Sequence, residues 1–232
     1  MSSSESSMSF FNDPQAVARY TDGPLRQVPG LHALHRMAGL LLHERVPSDG
    51  RVLVLGAGGG MELKAFAEAY PQWRLLGVDP SAPMLESAVQ TLGPLAPRVE
   101  LLEGIIDAAP VAGFDGAACL LTMHFLSIEE RLHTLRELRR RLKPGAPLVI
   151  AHHSVPDAPV EKRRWLLRHV AFMTSNGMPV ANTATTIEAM ASRLPMLSPE
   201  AEVDLLEQAG FERHELFYAA FTFKGWVAYA GS

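Results

Sequence analysis

Cysteine is nearly absent. Cys119 is the only one in 232 residues, so no disulfide can form within the chain, and a lone thiol in an apolar run suits a reducing compartment. Charge of one sign is also scarce: a formal net charge of −4 and a pI near 6.1 offer no general attraction for polyanions. No apolar run approaches the roughly 20 residues of a membrane-spanning helix. The Ser-rich start "MSSSESSMSFF" lacks the basic region and long apolar stretch of a signal peptide and reads as a frayed tail. Metal-binding thiolates are missing, and the histidines show no pairing with acids at ligand spacing, so no metal is expected. These absences leave a cytoplasmic protein without membrane contact that handles small molecules, and 47% hydrophobic residues suffice for one sizeable core.

What is present is a strand–helix rhythm. Strands are expected at Arg51–Leu55, Arg74–Val78, Val99–Leu102, Phe114–Leu121 and Pro147–Ala151, short and apolar on both faces as parallel strands beneath helices tend to be. Leu31, Leu34, Met37, Ala38, Leu41 and Leu42 recur at helical spacing ahead of them. Ser81 caps a helix to about Leu92, and "SIEE" at Ser127–Glu130 is a capping box opening a helix with Leu132, Leu135, Leu138 and Leu142 inward. From Val155 to Leu197 the rhythm breaks into two helical stretches, and a helix capped by Ser198 then leads to an antiparallel pair.

The fold class expected is α/β: a Rossmann-like, doubly wound, mostly parallel seven-stranded sheet with an antiparallel C-terminal hairpin and a helical insertion. The organisation expected is one domain over residues 1–232, with 1–22 a flexible tail and N-terminal cap and 155–197 a helical insertion or lid.

The first strand ends in Gly56-Ala57-Gly58-Gly59-Gly60 and passes into a helix, which puts backbone N–H groups and a close-approach surface at its carboxyl end. At the end of the second strand, Asp79 stands where a carboxylate can accept from both hydroxyls of a ribose. A dinucleotide normally asks for G-x-G-x-x-G facing its pyrophosphate; the G-x-G-x-G spacing here suits S-adenosylmethionine, which has no phosphate.

With the glycine loop, Asp79, "FDGAACLLTMHFL" and "LRRRLKPGAPLVI" in line, the sequence resembles class I S-adenosylmethionine-dependent methyltransferases. Within that fold it is most similar to the bacterial carboxy-S-adenosylmethionine synthase group, which works in modifying the wobble uridine of tRNA. The likeness spans about Pro24 to Ala228 and includes "RQVPGLHALHRMAGLL" and "AGFERHELFYAAFTFKGWVA". The resemblance implies that Gly56, Ala57, Gly58 and Gly60 pass under the methionine part of the cofactor and that Asp79 holds its ribose. Pro80 and Ser81 would border the adenosine, with Met84, Ile105 and Ile106 near the adenine. Leu120 and Thr122 would lie beside the sulfonium, and Arg26 would face the same pocket. It also implies a homodimer.

Three positions depart from the family pattern. Val54 stands where the family usually has an acid, and Ile105 where it has the acid that holds the adenine amine, with Asp107 displaced by two residues. The arginine that clamps the extra carboxylate in carboxy-forming enzymes is replaced by Ala189, with Arg193 a turn away.

Methyl transfer to a small-molecule acceptor is the first function expected, since it asks mainly for orientation. His124, His153 and Tyr20 are the candidate catalytic residues, a histidine being able to take a proton near neutral pH; His152, Asn176, Tyr218 and Trp226 are further acceptor-side candidates. A second reading follows from Val54: without a counter-charge the cofactor amine is favoured in its neutral form, and could cyclise to azetidine-2-carboxylate with release of methylthioadenosine. Formation of carboxy-S-adenosylmethionine is a further alternative. A non-catalytic adenosyl-binding or tRNA-associated module is the last, with "EKRRWLLR" and "RELRRRLK" as its basic patches.

Overall fold

The computed structural model describes residues 23–231. Tyr20 and the tail therefore lie outside the described residues. A seven-stranded sheet runs in the order β3-β2-β1-β4-β5-β7-β6. Its strands are β1 Arg51–Leu55, β2 Arg74–Asp79, β3 Val99–Glu103, β4 Gly116–Leu120, β5 Pro147–His153, β6 Phe211–Ala220 and β7 Phe223–Ala230. The first five pair in parallel, and β7 pairs antiparallel with both β5 and β6.

Side chains alternate across a strand, and β1 shows how this builds two cores. Val52 and Val54 face one side with α2 (Leu31–His43) and α3 (Met61–Ala69), through Leu34, Leu42, Leu63 and Phe66. Leu53 and Leu55 face the other side with α5 (Ile128–Arg141) and α8 (Pro199–Gln208), through Leu135, Leu138 and Leu206. Helices thus cover both faces, as the continuous apolar strands require. The remaining helices are α1 Gly23–Gln27, α4 Ala82–Leu92, α6 Pro159–Ser175 and α7 Thr183–Arg193.

The caps follow the sequence. Ser81 Oγ accepts from Met84 N–H at 3.2 Å, Ser198 Oγ from Ala201 N–H at 3.2 Å, and Ser127 and Glu130 exchange both bonds of a capping box. The fourth strand is shorter than expected. Leu121 turns to φ +59° and leaves the ladder, while Phe114 pairs through an isolated bridge to Leu142 outside the named strands. The helix α5 also buries more than its leucines: Arg131 and Arg141 are each 1% exposed. Both are kept inside by partners, Arg131 by Glu202 and the Leu126 and Pro195 carbonyls, Arg141 by Glu137 and the Ala109 and Asp107 carbonyls. Between β5 and α8, α6 and α7 enclose a small cluster of their own, with Val155, Leu166, Val170, Ile187 and Met196. Among the described residues no helix is long and apolar enough to cross a membrane.

Strand order reverses between β1 and β4, which hydrogen-bond side by side. In open α/β sheets that switch point leaves a crevice above the carboxyl ends of the strands.

Candidate active site

At that crevice β1 stops because Gly56 takes φ +73°. A Cβ there would fall 1.9 Å from Thr122 Oγ1, so only glycine lets the loop cross so close to the end of β4. Gly56 and Ala57 N–H donate to the Val78 carbonyl at 2.8 and 3.0 Å. The loop is then fastened to the second strand: Gly58 N–H donates to Asp79 Oδ2 and Ser81 N–H to Oδ1, both at 2.9 Å. Burial raises the Asp79 carboxyl above its ordinary value, and these two N–H groups pull it part of the way back.

A cavity of about 320 Å³ opens over this loop, within the ~300–1,000 Å³ of small-molecule sites. Of the residues expected at the cofactor, Gly56, Ala57, Gly58, Asp79, Pro80 and Ser81 line it. So do Met84, Ile105, Ile106, Leu120 and Thr122.

Two expected cofactor residues stand elsewhere. Gly60 caps α3 and packs against α4, where a Cβ would meet Ala88 Cα at 2.9 Å; its smallness serves helix packing and not the cavity wall. Arg26 reaches away, Nη1 donating to the Gly177 carbonyl at 2.9 Å while its own carbonyl accepts from Asn176 Nδ2 at 3.2 Å. It fastens α1 to the turn after α6, and Asn176 is spent on the same link.

The histidine candidates also miss the cavity wall. His124 and His153 are buried beside His169, with ring centroids 4.7 Å apart for the first pair and 5.2 Å for His153 and His169. His153 stacks on Phe223 at 4.0 Å, its Nδ1 lies 2.8 Å from Thr222 Oγ1, and its backbone N–H donates to His124 Nδ1 at 3.4 Å. Burial, reinforced by the neighbouring rings, holds both far below the usual histidine range, so both rings are held neutral. His152 lies 3.0 Å from Glu202 Oε1, which also pairs with Arg131. Tyr218 donates to the Pro29 carbonyl at 2.5 Å, and Trp226 is buried in β7.

Two titratable residues on the wall were not singled out by the sequence pattern. Glu62, in the first turn of α3, is 8% exposed, and burial together with Asp79 pushes its carboxyl up to about 8 despite its own backbone N–H. His35 lines the cavity from the buried face of α2, pushed down to about 4 by burial and by His32. Its signal was available: His35 falls at helical spacing from Leu31 and Ala38. Glu130 and Thr134 close the wall from α5. Among the described residues, no group of three or more His, Cys, Asp or Glu is arranged to hold a metal ion.

Comparison with known proteins gives this geometry its family. The family described as a methyltransferase domain matches residues 52–145. The ubiquinone/menaquinone biosynthesis C-methyltransferase UbiE of Syntrophotalea carbinolica is 30% identical over 171 residues, covering 71% of this chain and 69% of that protein. The chain belongs to the class I S-adenosylmethionine-dependent methyltransferases. The carboxy-S-adenosylmethionine synthase of Chromohalobacter salexigens is 29% identical to this chain over 226 residues, 95% of this chain and 83% of that one. The solved structure of the pyocyanin biosynthetic protein PhzM shares its fold with TM-score 0.63 at 19% identity, over 86% of this chain. The chain spans 54% of the length of that structure.

S-adenosylmethionine is the cofactor or substrate of the family, and the cavity fits it. Glu62, Asp79 and Glu130 are the acidic residues described on the wall, and no lysine or arginine is among its described lining. A cationic nucleoside suits such a wall, whereas a pyrophosphate would be repelled by it.

Proposed function

We propose that this methyltransferase transfers the methyl group of S-adenosylmethionine to a small, uncharged, largely apolar acceptor bound in the same cavity. The observation that carries this reading is the composition of the wall. Beyond the glycine loop and Asp79 it is built from Pro24, Leu31, Met61, Leu121, Phe125 and Leu126, and its charged members among the described residues are acids. An apolar wall pays the least desolvation penalty with an apolar guest.

When bound, S-adenosylmethionine supplies an electrophilic methyl carbon on a sulfonium. The chain's contribution is to hold the nucleoside through Asp79 and the loop, to align the acceptor against the methyl, and to keep water out. His35 supports the acceptor side. Neutral at pH 7 with its proton affinity lowered by burial, it can accept a hydrogen bond from an acceptor hydroxyl and act as a weak base, and its place on the wall puts it within the same space as the guest. It replaces His124 and His153 in that role.

The carboxy-forming activity named for the Chromohalobacter salexigens relative is less well supported. Its product carries one more carboxylate, and no described cationic side chain lines this cavity to receive it. The test is to incubate the purified protein with S-adenosylmethionine, first alone and then with a panel of small neutral acceptors, and to identify the nucleoside formed. S-adenosylhomocysteine appearing only with an acceptor supports the reading. Methylthioadenosine from S-adenosylmethionine alone overturns it in favour of the cyclising alternative.

A further inference from the structure

We propose that Glu62 is the group that receives the ammonium end of S-adenosylmethionine, releasing its own proton to solvent as that cation arrives; this rests on the reading that the cavity holds S-adenosylmethionine. An acidic residue in the first turn of a helix ordinarily faces water and gains from the helix dipole. Glu62 occupies such a position in α3 but is turned inward, buried on the cavity wall next to Asp79. A buried carboxylate needs a cation or several donors to be stable. Asp79 has its donors in Gly58 and Ser81. Glu62 has its own backbone N–H and, among the described residues, no ion-pair partner.

The titratable groups around Glu62 supply no cation either. Asp79, at the end of β2, acts on it as a second negative charge, and the Cys119 thiol in β4, raised to about 12, is neutral. Of the other titratable residues on the wall, His35 from α2 is neutral, and Glu130 from α5 accepts from Ser127 N–H. An empty cavity therefore favours a protonated Glu62. A ligand that carries its own ammonium changes the balance: the carboxylic acid loses its proton, and the carboxylate formed pairs with the ammonium, so that one positive charge enters as another leaves. The wall then recognises the amino-acid tail of the ligand and not only its nucleoside.

Calorimetry in two buffers of different ionisation enthalpy, at one pH near 7, reads this directly. The probes are S-adenosylhomocysteine, which keeps the ammonium tail but has no sulfonium, and methylthioadenosine, which has neither. The result expected is release of close to one proton per S-adenosylhomocysteine bound and none per methylthioadenosine. Affinity for the former then rises with pH from 6 to 8, approaching tenfold per unit at the acid end. Glu62→Gln should abolish both the proton release and the pH dependence, and weaken S-adenosylhomocysteine at least tenfold at pH 8.5, while leaving methylthioadenosine within twofold. Binding of S-adenosylhomocysteine with no proton release, or an unchanged pH dependence in Glu62→Gln, overturns the proposal. Should Glu62→Gln fail to fold, the two-buffer measurement on the unaltered protein still decides. Failure of both probes to bind overturns the functional reading first and this one with it.

Discussion

Asp79 Oδ2 accepts from Gly58 N–H at 2.9 Å, so the carboxylate at the end of β2 fastens the glycine loop at the end of β1. The same side chain is the ribose acceptor expected from the sequence, and the Gly58 and Ser81 N–H bonds leave further lone pairs on its oxygens for such a role. Hydrogen bonds to charged groups are each worth about 1.5–3 kcal/mol. Asp79→Ala should therefore weaken S-adenosylhomocysteine by roughly 10–100-fold or more in calorimetry. Unchanged affinity would leave Asp79 with the loop clamp alone.

Gly56 and Gly60 both have positive φ and no room for a Cβ, yet only Gly56 lines the cavity. Alanine at either position should cost about 2–4 kcal/mol of stability by urea denaturation, from left-handed strain plus steric displacement. Their binding effects should separate. Gly56→Ala pushes on Thr122 and should lower nucleoside affinity, whereas Gly60→Ala pushes on Ala88 and should leave the affinity of the folded fraction within about threefold. Equal losses of affinity would return Gly60 to the cofactor site.

What the chain discloses before folding is what depends on near neighbours. The step from "RVLVL" to glycine, the acid closing β2, and the Ser127–Glu130 box are local patterns with local causes, and they lie in the structure where the pattern puts them. The helix over Leu31–His43 is equally legible, although the pattern does not single out the histidine on its apolar face, His35. Glu62 is not. A glutamate in a first helical turn normally faces solvent, and only the packing of α3 against the sheet turns this one inward. The histidines' surroundings were hidden for the converse reason: they stand at strand ends, where catalytic groups are common, but the return of β7 alongside β5 and the placing of α6 pack His153 against Phe223 and Thr222. Arg131 and Glu202, 71 residues apart, meet through no pattern that sequence spacing carries.

His35 is the titratable ring on the cavity wall. Held down to about 4, His35 is a weaker base than one matched to the working pH, so His35→Gln should lower kcat by less than the about 10²–10⁴-fold of a matched general base once an acceptor is known, with S-adenosylhomocysteine affinity within about threefold. Because burial holds the ring neutral down to about 4, kcat should show no histidine inflection near pH 6.5. An inflection there, lost in His35→Gln, would mean that ligands re-expose the ring and raise its proton affinity.

His169 sets an acid limit on the fold. Its ring is 0% exposed, packs edge-on against Phe223 at 5.4 Å, and neither nitrogen has a protein partner; burial pushes its pKa down to about 4. An unfolded histidine titrates near 6.5, so below that pH the unfolded chain binds the proton that the folded one refuses, and stability falls as pH falls from about 6.5 towards 4. Each such ring removes about 1.4 kcal/mol per pH unit. His124 and His153 act in the same direction. Glu62, protonated in the fold up to about 8, acts in the opposite one as pH falls from 8 to 4.5. His169→Phe removes one refused proton and replaces two orphaned nitrogens with carbon. Urea denaturation from pH 6.5 to 5 should show the variant losing about 2 kcal/mol less than the unaltered protein. Parallel losses in the two proteins would mean that His169 already finds its proton in the folded state, through water admitted beneath α6.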